Sequence, residues 1–273
     1  MDEEFRHPRL AAMYDALDGN RSDLDNYLEI AQELQAQRVL DVGCGTGTLA
    51  LMLADLGLEV TGVDPAAASL AVARAKPGGQ RVRWLDGDAT TLPELDVDLA
   101  TMTANVAMFV DDQTWPQALG GVHRALRAGG HLVFETRDPA RRAWERWNRA
   151  HTEVVMVVSG QGHVRRWCEV LDVALPWATL RWTFVFETDG QVLTSTSRLR
   201  FRGQDEVEAA LRVAGFDLID IRDAPDRPGR ELVFLTRAST PSTTATANDT
   251  ATGLTKLGAR SHRRGPTHPG CTA

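Results

Sequence analysis

The stretch VLDVGCGTGTLA, residues 39–50, joins the end of an apolar run to three glycines at alternate positions and then to a helical run. The glycines are Gly43, Gly45 and Gly47, and Asp41 precedes them. A glycine-rich turn between a strand and a helix lets a ligand approach the backbone closely. The pattern therefore predicts a ligand site at a strand-to-helix turn, and the structural alternative is a tight turn without a ligand.

The glycine spacing differs from that of a nicotinamide dinucleotide site. That fingerprint is G-x-G-x-x-G, whereas the third glycine here comes one residue early. Asp41 beside the loop suits a cationic group better than a phosphate. Asp64, at the end of the next apolar run, can accept hydrogen bonds from both hydroxyls of a ribose, although it also fits a helix N-cap before Pro65. We therefore expect a ligand that carries ribose and an ammonium group.

Outward from this stretch, short apolar runs alternate with helical runs. The runs RVLDV, LEVTGVD, VRWLDGD, VDLATMTA and HLVFETRD predict strands, and residues 22–37, 48–56, 65–76 and 113–127 predict helices. The AGG at 128–130 predicts the end of the last of these helices. Uninterrupted apolar strands that alternate with helices predict a parallel sheet covered on both faces, with its strand-to-helix turns along one edge.

The pattern changes after Asp138. Residues 140–151 predict a short basic helix, and residues 154–201 contain several extended runs with a hairpin turn at ETDGQ. A helix and a strand pair then return to the sheet. The predicted organisation is a core with N-terminal helices over 1–139, an antiparallel insert over 140–202, a return to the core over 203–237 and a disordered tail over 238–273.

Charge and cysteine content narrow the class of protein. The 30 Lys and Arg residues against 37 Asp and Glu residues give a net charge of −7, which argues against a phosphate-backbone partner. Cys44, Cys168 and Cys271 show neither a disulfide framework nor zinc-ligand spacing, so we predict no metal and a reducing, cytoplasmic compartment. The start of the chain has no apolar leader, and no apolar run is long enough to span a membrane.

Five stretches in order and spacing resemble the motifs of class I S-adenosylmethionine-dependent methyltransferases of the small-molecule type. They are VLDVGCGTGTLA, VTGVDP, VRWLDGDATTLP, VDLATMTANVAMF and LRAGGHLVFE. The resemblance covers roughly residues 10–237 and is most specific over 38–136, with one departure where the family usually has a proline before the glycines of LRAGG. It implies an α/β fold with a Rossmann-like parallel sheet, helices on both faces, a C-terminal antiparallel strand pair and an antiparallel β insert after the fifth strand.

The resemblance also implies S-adenosyl-L-methionine as cofactor. Asp41 and the glycine loop would line its methionine part, Asp64 would bind the ribose hydroxyls, and Asp88 would accept from the adenine amino group. Thr103 to Val106 would flank the sulfonium and the acceptor, and Tyr14 would cover the cofactor. The complete set of expected cofactor-binding residues is Tyr14, Asp41, Gly43, Cys44, Gly45, Asp64, Pro65, Asp88, Ala89 and Thr103.

Several of these residues have a structural alternative. Asp88 also fits a plain turn residue, Tyr14 a core side chain, and Cys44 a small filler between glycines. Five tryptophans between 140 and 185 fit either the core of the insert or an acceptor wall. They are Trp144, Trp147, Trp167, Trp177 and Trp182.

The function predicted from the sequence is methyl transfer to a nitrogen or oxygen atom of a small-molecule metabolite, by a monomer or homodimer. No residue is marked as a catalytic base. TANVAMF after the fourth strand departs from the pattern of nucleic-acid amino-methyltransferases. The alternatives are a non-catalytic module that binds S-adenosylmethionine, a nucleic-acid or protein methyltransferase that docks through RRAWERWNR, and, more distantly, a nicotinamide oxidoreductase.

Overall fold

The computed structural model describes residues 2–19 and 21–239. Most of the tail predicted over 238–273 lies outside the described residues, and Ala238 is the last residue of a strand. None of the described helices is long and apolar enough to cross a membrane. The strands are β1 Arg38–Val42, β2 Glu59–Asp64, β3 Arg83–Asp86, β4 Val97–Met102, β5 Leu126–Arg137, β6 Val154–Val158, β7 Gly162–Ala174, β8 Trp177–Phe186, β9 Val192–Arg200, β10 Phe216–Asp223 and β11 Glu231–Ala238.

Seven strands form the central sheet, in the order β10-β11-β5-β4-β1-β2-β3. Strands β1 to β5 pair in parallel, and β11 runs antiparallel between β5 and β10. The chain leaves β1 toward β2 on one side and β4 toward β5 on the other, so the strand order reverses between β1 and β4. Such a reversal opens a crevice at the carboxyl ends of the strands. The predicted α/β fold is confirmed.

Helices cover both faces of this sheet. One core lies under α8 and α10, and the other lies under α4 and α5. Central strand residues such as Leu40 and Leu99 are fully buried, which explains the uninterrupted apolar runs of the sequence. The helices are α1 Glu3–Arg6, α2 Pro8–Ala11, α3 Tyr14–Asp18, α4 Asp25–Glu33, α5 Thr48–Asp55, α6 Ala67–Ala75, α7 Val106–Phe109, α8 Trp115–Ala125, α9 Arg149–Thr152 and α10 Gln204–Val213.

The insert is a four-stranded antiparallel sheet in the order β6-β7-β8-β9, as expected. One face packs on the N-terminal helices through Leu10, Met13 and Leu17 against Phe184 and Phe186. A separate cluster buries Met108, Trp144 and Leu199 beside it. The insert therefore packs against the segments that precede β1 and follow β4.

Two local predictions are wrong. The basic stretch 140–151 is not one helix but two short 3₁₀ turns followed by α9, because Arg142 takes a left-handed conformation with φ of 48° and interrupts the helical path. The glycines of AGG lie within β5, which begins at Leu126, rather than in a helix end. They stand at a shift in the register with β4, as glycines do at β-bulges.

Candidate active site

A cavity of about 410 Å³ lies at the carboxyl edge of the central sheet. Its wall includes the ends of β1 and β2, the turns after β3 and β4, and the N-terminal helices. All ten residues predicted from the sequence line it: Tyr14, Asp41, Gly43, Cys44, Gly45, Asp64, Pro65, Asp88, Ala89 and Thr103.

The glycine loop is held in a left-handed backbone path that excludes larger residues. Gly43 and Gly47 have φ values of 71° and 78°. A Cβ atom would lie 2.5 Å from the Val106 side chain at Gly43 and 2.4 Å from Trp84 at Gly47. Around Gly45 the corresponding space is open within 4 Å. Two of the glycines therefore serve close packing, while the third keeps the backbone accessible on the cavity wall.

Asp64 closes the loop from the end of β2. Its carboxylate accepts hydrogen bonds from the backbone N–H of Gly45 at 2.8 Å and of Ala66 at 2.7 Å. Burial raises the pKa of this carboxyl, and the two backbone donors oppose the rise. The residue thus joins the glycine loop to the start of the next segment and lines the cavity. It is not the helix N-cap considered for it, because α6 begins at Ala67 and its N-cap is Ala66.

Asp41 is the most deeply buried acid of the cavity wall, with 2% of its surface exposed. It accepts a hydrogen bond from Thr101 Oγ1 at 3.0 Å. Burial, with a smaller contribution from nearby Asp64, raises the pKa of Asp41 to about 7. A cation placed beside this carboxylate would favour its charged form.

Cys44 is buried next to these acids. Burial, together with the charges of Asp41 and Asp64, raises the pKa of its thiol far above the ordinary value. The thiol is therefore not activated as a nucleophile, because a reactive cysteine needs a lowered pKa. This agrees with a small filler between two glycines.

The turn after β3 presents Asp88 and Ala89 to the cavity. Asp88 Oδ1 accepts from the backbone N–H and the hydroxyl of Thr90, at 2.8 and 2.6 Å, which fixes the turn locally. Ala89 is buried against α8, where a Cβ atom on Gly121 would lie 1.8 Å from the Ala89 carbonyl oxygen. Close packing of α8 therefore sets the position of this turn.

Comparison with known proteins shows that the chain is similar to methyltransferases. Residues 39–130 match the family described as "Methyltransferase domain". The chain is 41% identical over 112 residues to a demethylmenaquinone methyltransferase from Thermus thermophilus, an alignment covering 39% of this chain and 50% of that protein. The chain is therefore similar to methyltransferases over residues 39–130, the region that contains the glycine loop and strands β1 to β4. It spans about half the length of the curated relatives it matches.

Solved methyltransferases share the fold of the chain. A methyltransferase from Streptomyces caelestis superposes with a TM-score of 0.66 at 23% identity, covering 84% of this chain and 96% of that one. An amino pentose methyltransferase from Micromonospora echinaspora, solved with S-adenosylmethionine bound, gives a TM-score of 0.63 at 24% identity and covers 83% and 97%. At these identities the likeness concerns the fold alone.

The turn after β4 is held in place by three side chains that the sequence analysis missed: Tyr27, Glu135 and Glu231. Ala104 and Asn105 have positive φ values of 54° and 61°. The Asn105 backbone N–H donates to Glu135 Oε1 at 3.0 Å, and the Tyr27 hydroxyl donates to the other oxygen of Glu135. The Asn105 side chain donates to Glu231 at 3.1 Å. This network fixes the turn that carries Thr103 to the cavity wall.

Glu135 is buried, and its charge state is tied to this network. Burial, followed by repulsion from Glu231, raises the pKa of Glu135 to about 7. In sequence it ends the stretch LRAGGHLVFE, in which no role was assigned to it. A charged residue in a run with otherwise buried neighbours is the signal that could have drawn attention to it.

The N-terminal helices are latched onto the glycine loop by Asp15, another residue that the sequence analysis missed. Its carboxylate accepts from Thr46 Oγ1 at 2.5 Å and Thr48 Oγ1 at 3.2 Å, and it pairs with Lys76 Nζ at 2.6 Å. Although burial opposes the shift, the contacts with Lys76 and Thr46 lower the pKa of Asp15. The neighbouring Tyr14 is thereby brought to the cavity.

The insert reaches the cavity through Arg198 on β9. The five tryptophans lie elsewhere. Trp144 packs on Phe201 with ring centroids 4.8 Å apart, whereas Trp167 and Trp177 stack with Arg149 and Arg198. The insert therefore contributes a charged side chain to the cavity wall, and these tryptophan contacts lie within the insert itself.

Proposed function

We propose that this protein transfers the methyl group of S-adenosyl-L-methionine to a nitrogen or oxygen atom of a small-molecule metabolite. The observation that carries the proposal is the convergence of Asp41, Asp64 and Asp88 on one cavity, from the ends of adjacent strands or the turn after them. The match of residues 39–130 to the methyltransferase domain supports it. A cavity that is partly covered by helices suits a small acceptor better than a polymer.

The residues present fit the cofactor. The buried carboxyl of Asp41, whose pKa is about 7, would become charged beside the ammonium of the methionine part. Asp64 would accept from the ribose hydroxyls, and Asp88 from the adenine amino group. The open backbone at Gly45 leaves room for close approach. Cys44, Pro65 and the Ala89 backbone complete this side of the proposed site.

When bound, S-adenosylmethionine supplies a methyl group already activated by its sulfonium charge. The protein's task is to hold the acceptor in line and to keep water away, which can lower the barrier by about 7–11 kcal/mol. Thr103 and the rest of the turn after β4, with Tyr14, would do this.

The proposal includes a cytoplasmic location and a monomer or homodimer that needs no nucleic-acid partner. The unpaired thiols of Cys44 and Cys168 suit a reducing compartment. The net charge of −7 disfavours a phosphate backbone as partner.

Two measurements test the proposal. Isothermal titration should show binding of S-adenosylhomocysteine and none of NAD, and tighter binding of NAD would refute the cofactor assignment. Incubation with methyl-labelled S-adenosylmethionine and a small-molecule cell extract should then yield labelled metabolites. Binding of S-adenosylhomocysteine without transfer to any metabolite fraction would identify a non-catalytic module instead.

A further inference from the structure

Part of the cavity wall comes from outside the central sheet and is built from three separate parts of the chain. Phe5 of α1 contacts Tyr14 of α3 and Phe109 of α7, with ring centroids 5.7 and 5.8 Å apart. Arg198 of β9 joins them on the cavity wall. We call these four residues the outer end. The aromatic rings provide apolar area, and Arg198 provides a positive charge.

The position of this end is fixed by Arg202, just after β9. Its guanidinium is buried and donates to the carbonyl oxygens of Ala107 at 2.9 Å and Val110 at 2.7 Å. These carbonyls belong to the segment that carries Phe109. These hydrogen bonds hold the strand that bears Arg198 and the helix that bears Phe109 in fixed relative positions.

Arg198 differs from its neighbours because no carboxylate is paired with it in the described residues. Arg200 pairs with Asp112 at 2.8 Å, and Arg202 pairs with the same carboxylate at 3.2 Å. The guanidinium of Arg198 instead lies over the Trp177 ring, 4.2 Å from its centroid. Stacking on an aromatic face orients a guanidinium without neutralising it, so its hydrogen-bond donors stay available.

We infer that Arg198 binds an anionic group of the acceptor, a carboxylate or a phosphate ester, and thereby selects acidic metabolites as substrates. The inference rests on the proposed methyl transfer and adds the substrate class. A planar guanidinium with paired donors matches carboxylate and phosphate oxygens, and charge-assisted bonds of this kind are about twice as strong as neutral ones.

Because of the distribution of charge along the cavity, the contact between Arg198 and the acceptor would also orient the acceptor. The strand-tip end holds the carboxylates of Asp41, Asp64 and Asp88. Asp2 and Asp111 also line the cavity, and Asp111 is engaged by the backbone N–H groups of residues 113 and 114. Arg21 also lines the cavity, but its guanidinium is paired with Asp23 at 3.0 Å. An anionic group is repelled by the acids and is favoured beside Arg198. The acceptor is thereby oriented with its acidic group outward and its reacting atom toward the cofactor.

The test uses the full-length protein, methyl-labelled S-adenosylmethionine and a small-molecule cell extract separated beforehand on an anion exchanger at neutral pH. We expect label to enter compounds of the retained fraction. Arg198→Met should lower kcat/KM for that fraction about 10- to 100-fold, and Arg198→Lys should lower it less because it keeps the charge. Arg181→Met is the matched control, since Arg181 lies on the same sheet, pairs with Glu169 at 3.5 Å and does not line the cavity.

Phosphatase treatment of the retained fraction distinguishes the two anions, because it abolishes transfer only when the acceptor is a phosphate ester. Transfer confined to the unretained fraction, or equal rates for Arg198→Met and Arg181→Met, would overturn the inference while leaving methyl transfer intact. Absence of transfer to both fractions, with S-adenosylhomocysteine still bound, would overturn the proposed function and the inference with it. Titration of S-adenosylhomocysteine into Arg198→Met should give an unchanged affinity, which shows that the variant is folded.

Discussion

Cofactor binding should depend on pH through Asp41. The pKa of this buried carboxyl is about 7 in the ligand-free protein, because burial penalises its charge. An ammonium group bound beside it would favour the charged form, so binding should release a proton. If the complex keeps Asp41 ionised throughout, its ionised fraction in the free protein rises from about a tenth at pH 6 to about nine tenths at pH 8. The affinity for S-adenosylhomocysteine should therefore increase about 10-fold, or about 1.4 kcal/mol, over this range.

The sign of the effect on stability is opposite. The folded-state pKa of Asp41 lies above its ordinary value of 3.8, so the folded protein holds the extra proton between these two values. The contribution of Asp41 to the free energy of unfolding is then fully present below about pH 4 and falls as the pH rises toward 7. Bound ligand should reverse part of this loss.

Titration calorimetry at pH 6, 7 and 8, in two buffers of different ionisation enthalpy, measures both the affinity and the number of protons released. About half a proton should be released at pH 7. Asp41→Asn should remove the pH dependence and weaken binding about 10- to 150-fold at pH 8, the loss of a charge-assisted contact. Asp86→Asn, an exposed change at the end of β3, should keep both. An affinity that is flat with pH in the unmodified protein, or a slope that survives in Asp41→Asn, would refute the reasoning.

Three further changes test the supports of the cavity. Asp64→Ala should weaken binding of S-adenosylhomocysteine about 10- to 150-fold and also lower Tm, since two backbone N–H groups lose their acceptor; a lower Tm with unchanged calorimetric affinity would restrict it to a loop support. Asp15→Asn should weaken the same binding by up to about 5-fold, the worth of a half-exposed ion pair with Lys76, and an affinity equal to that of Asp86→Asn would contradict the latch. In chemical denaturation, Glu135→Gln should match the unmodified protein at pH 5 and be up to about 3 kcal/mol more stable at pH 8. The reason is that the raised pKa of Glu135 lowers the free energy of unfolding as the pH rises from about 4.5 to 7. Equal stability of the two proteins at both pH values would contradict a buried charge at Glu135.

The sequence predicted the strand-tip end of the cavity well, because its residues are local. Asp41, the glycines and Asp64 lie within 24 consecutive residues, and the geometry of parallel strands brings their ends to one edge. The outer end was not predictable in the same way. Phe5, Phe109 and Arg198 come from three distant segments, and no periodicity in the sequence indicates that they lie close together. Only the packing of α1, α7 and β9 brings them together.

Local backbone conformation accounts for the other differences. The basic stretch 140–151 has helical composition, but the left-handed Arg142 divides it. The glycines before His131 are typical of a helix end, but here they lie within β5, which pairs with β4. In both cases tertiary contacts determine a conformation that short-range propensity leaves open.

The N-terminal helices join the two ends of the cavity into one unit. On one side Asp15 holds α3 to the glycine loop through Thr46 and Lys76. On the other, Arg9 of α2 donates to Gln161 at 2.7 Å, and Arg166 of β7 donates to the carbonyl of Leu17 at 2.6 Å. Because this one segment contacts both the glycine loop and the insert, a displacement of the insert would move Tyr14 relative to the glycine loop. The insert therefore sets the outer end in two ways, directly through Arg198 and indirectly through the helices that it supports.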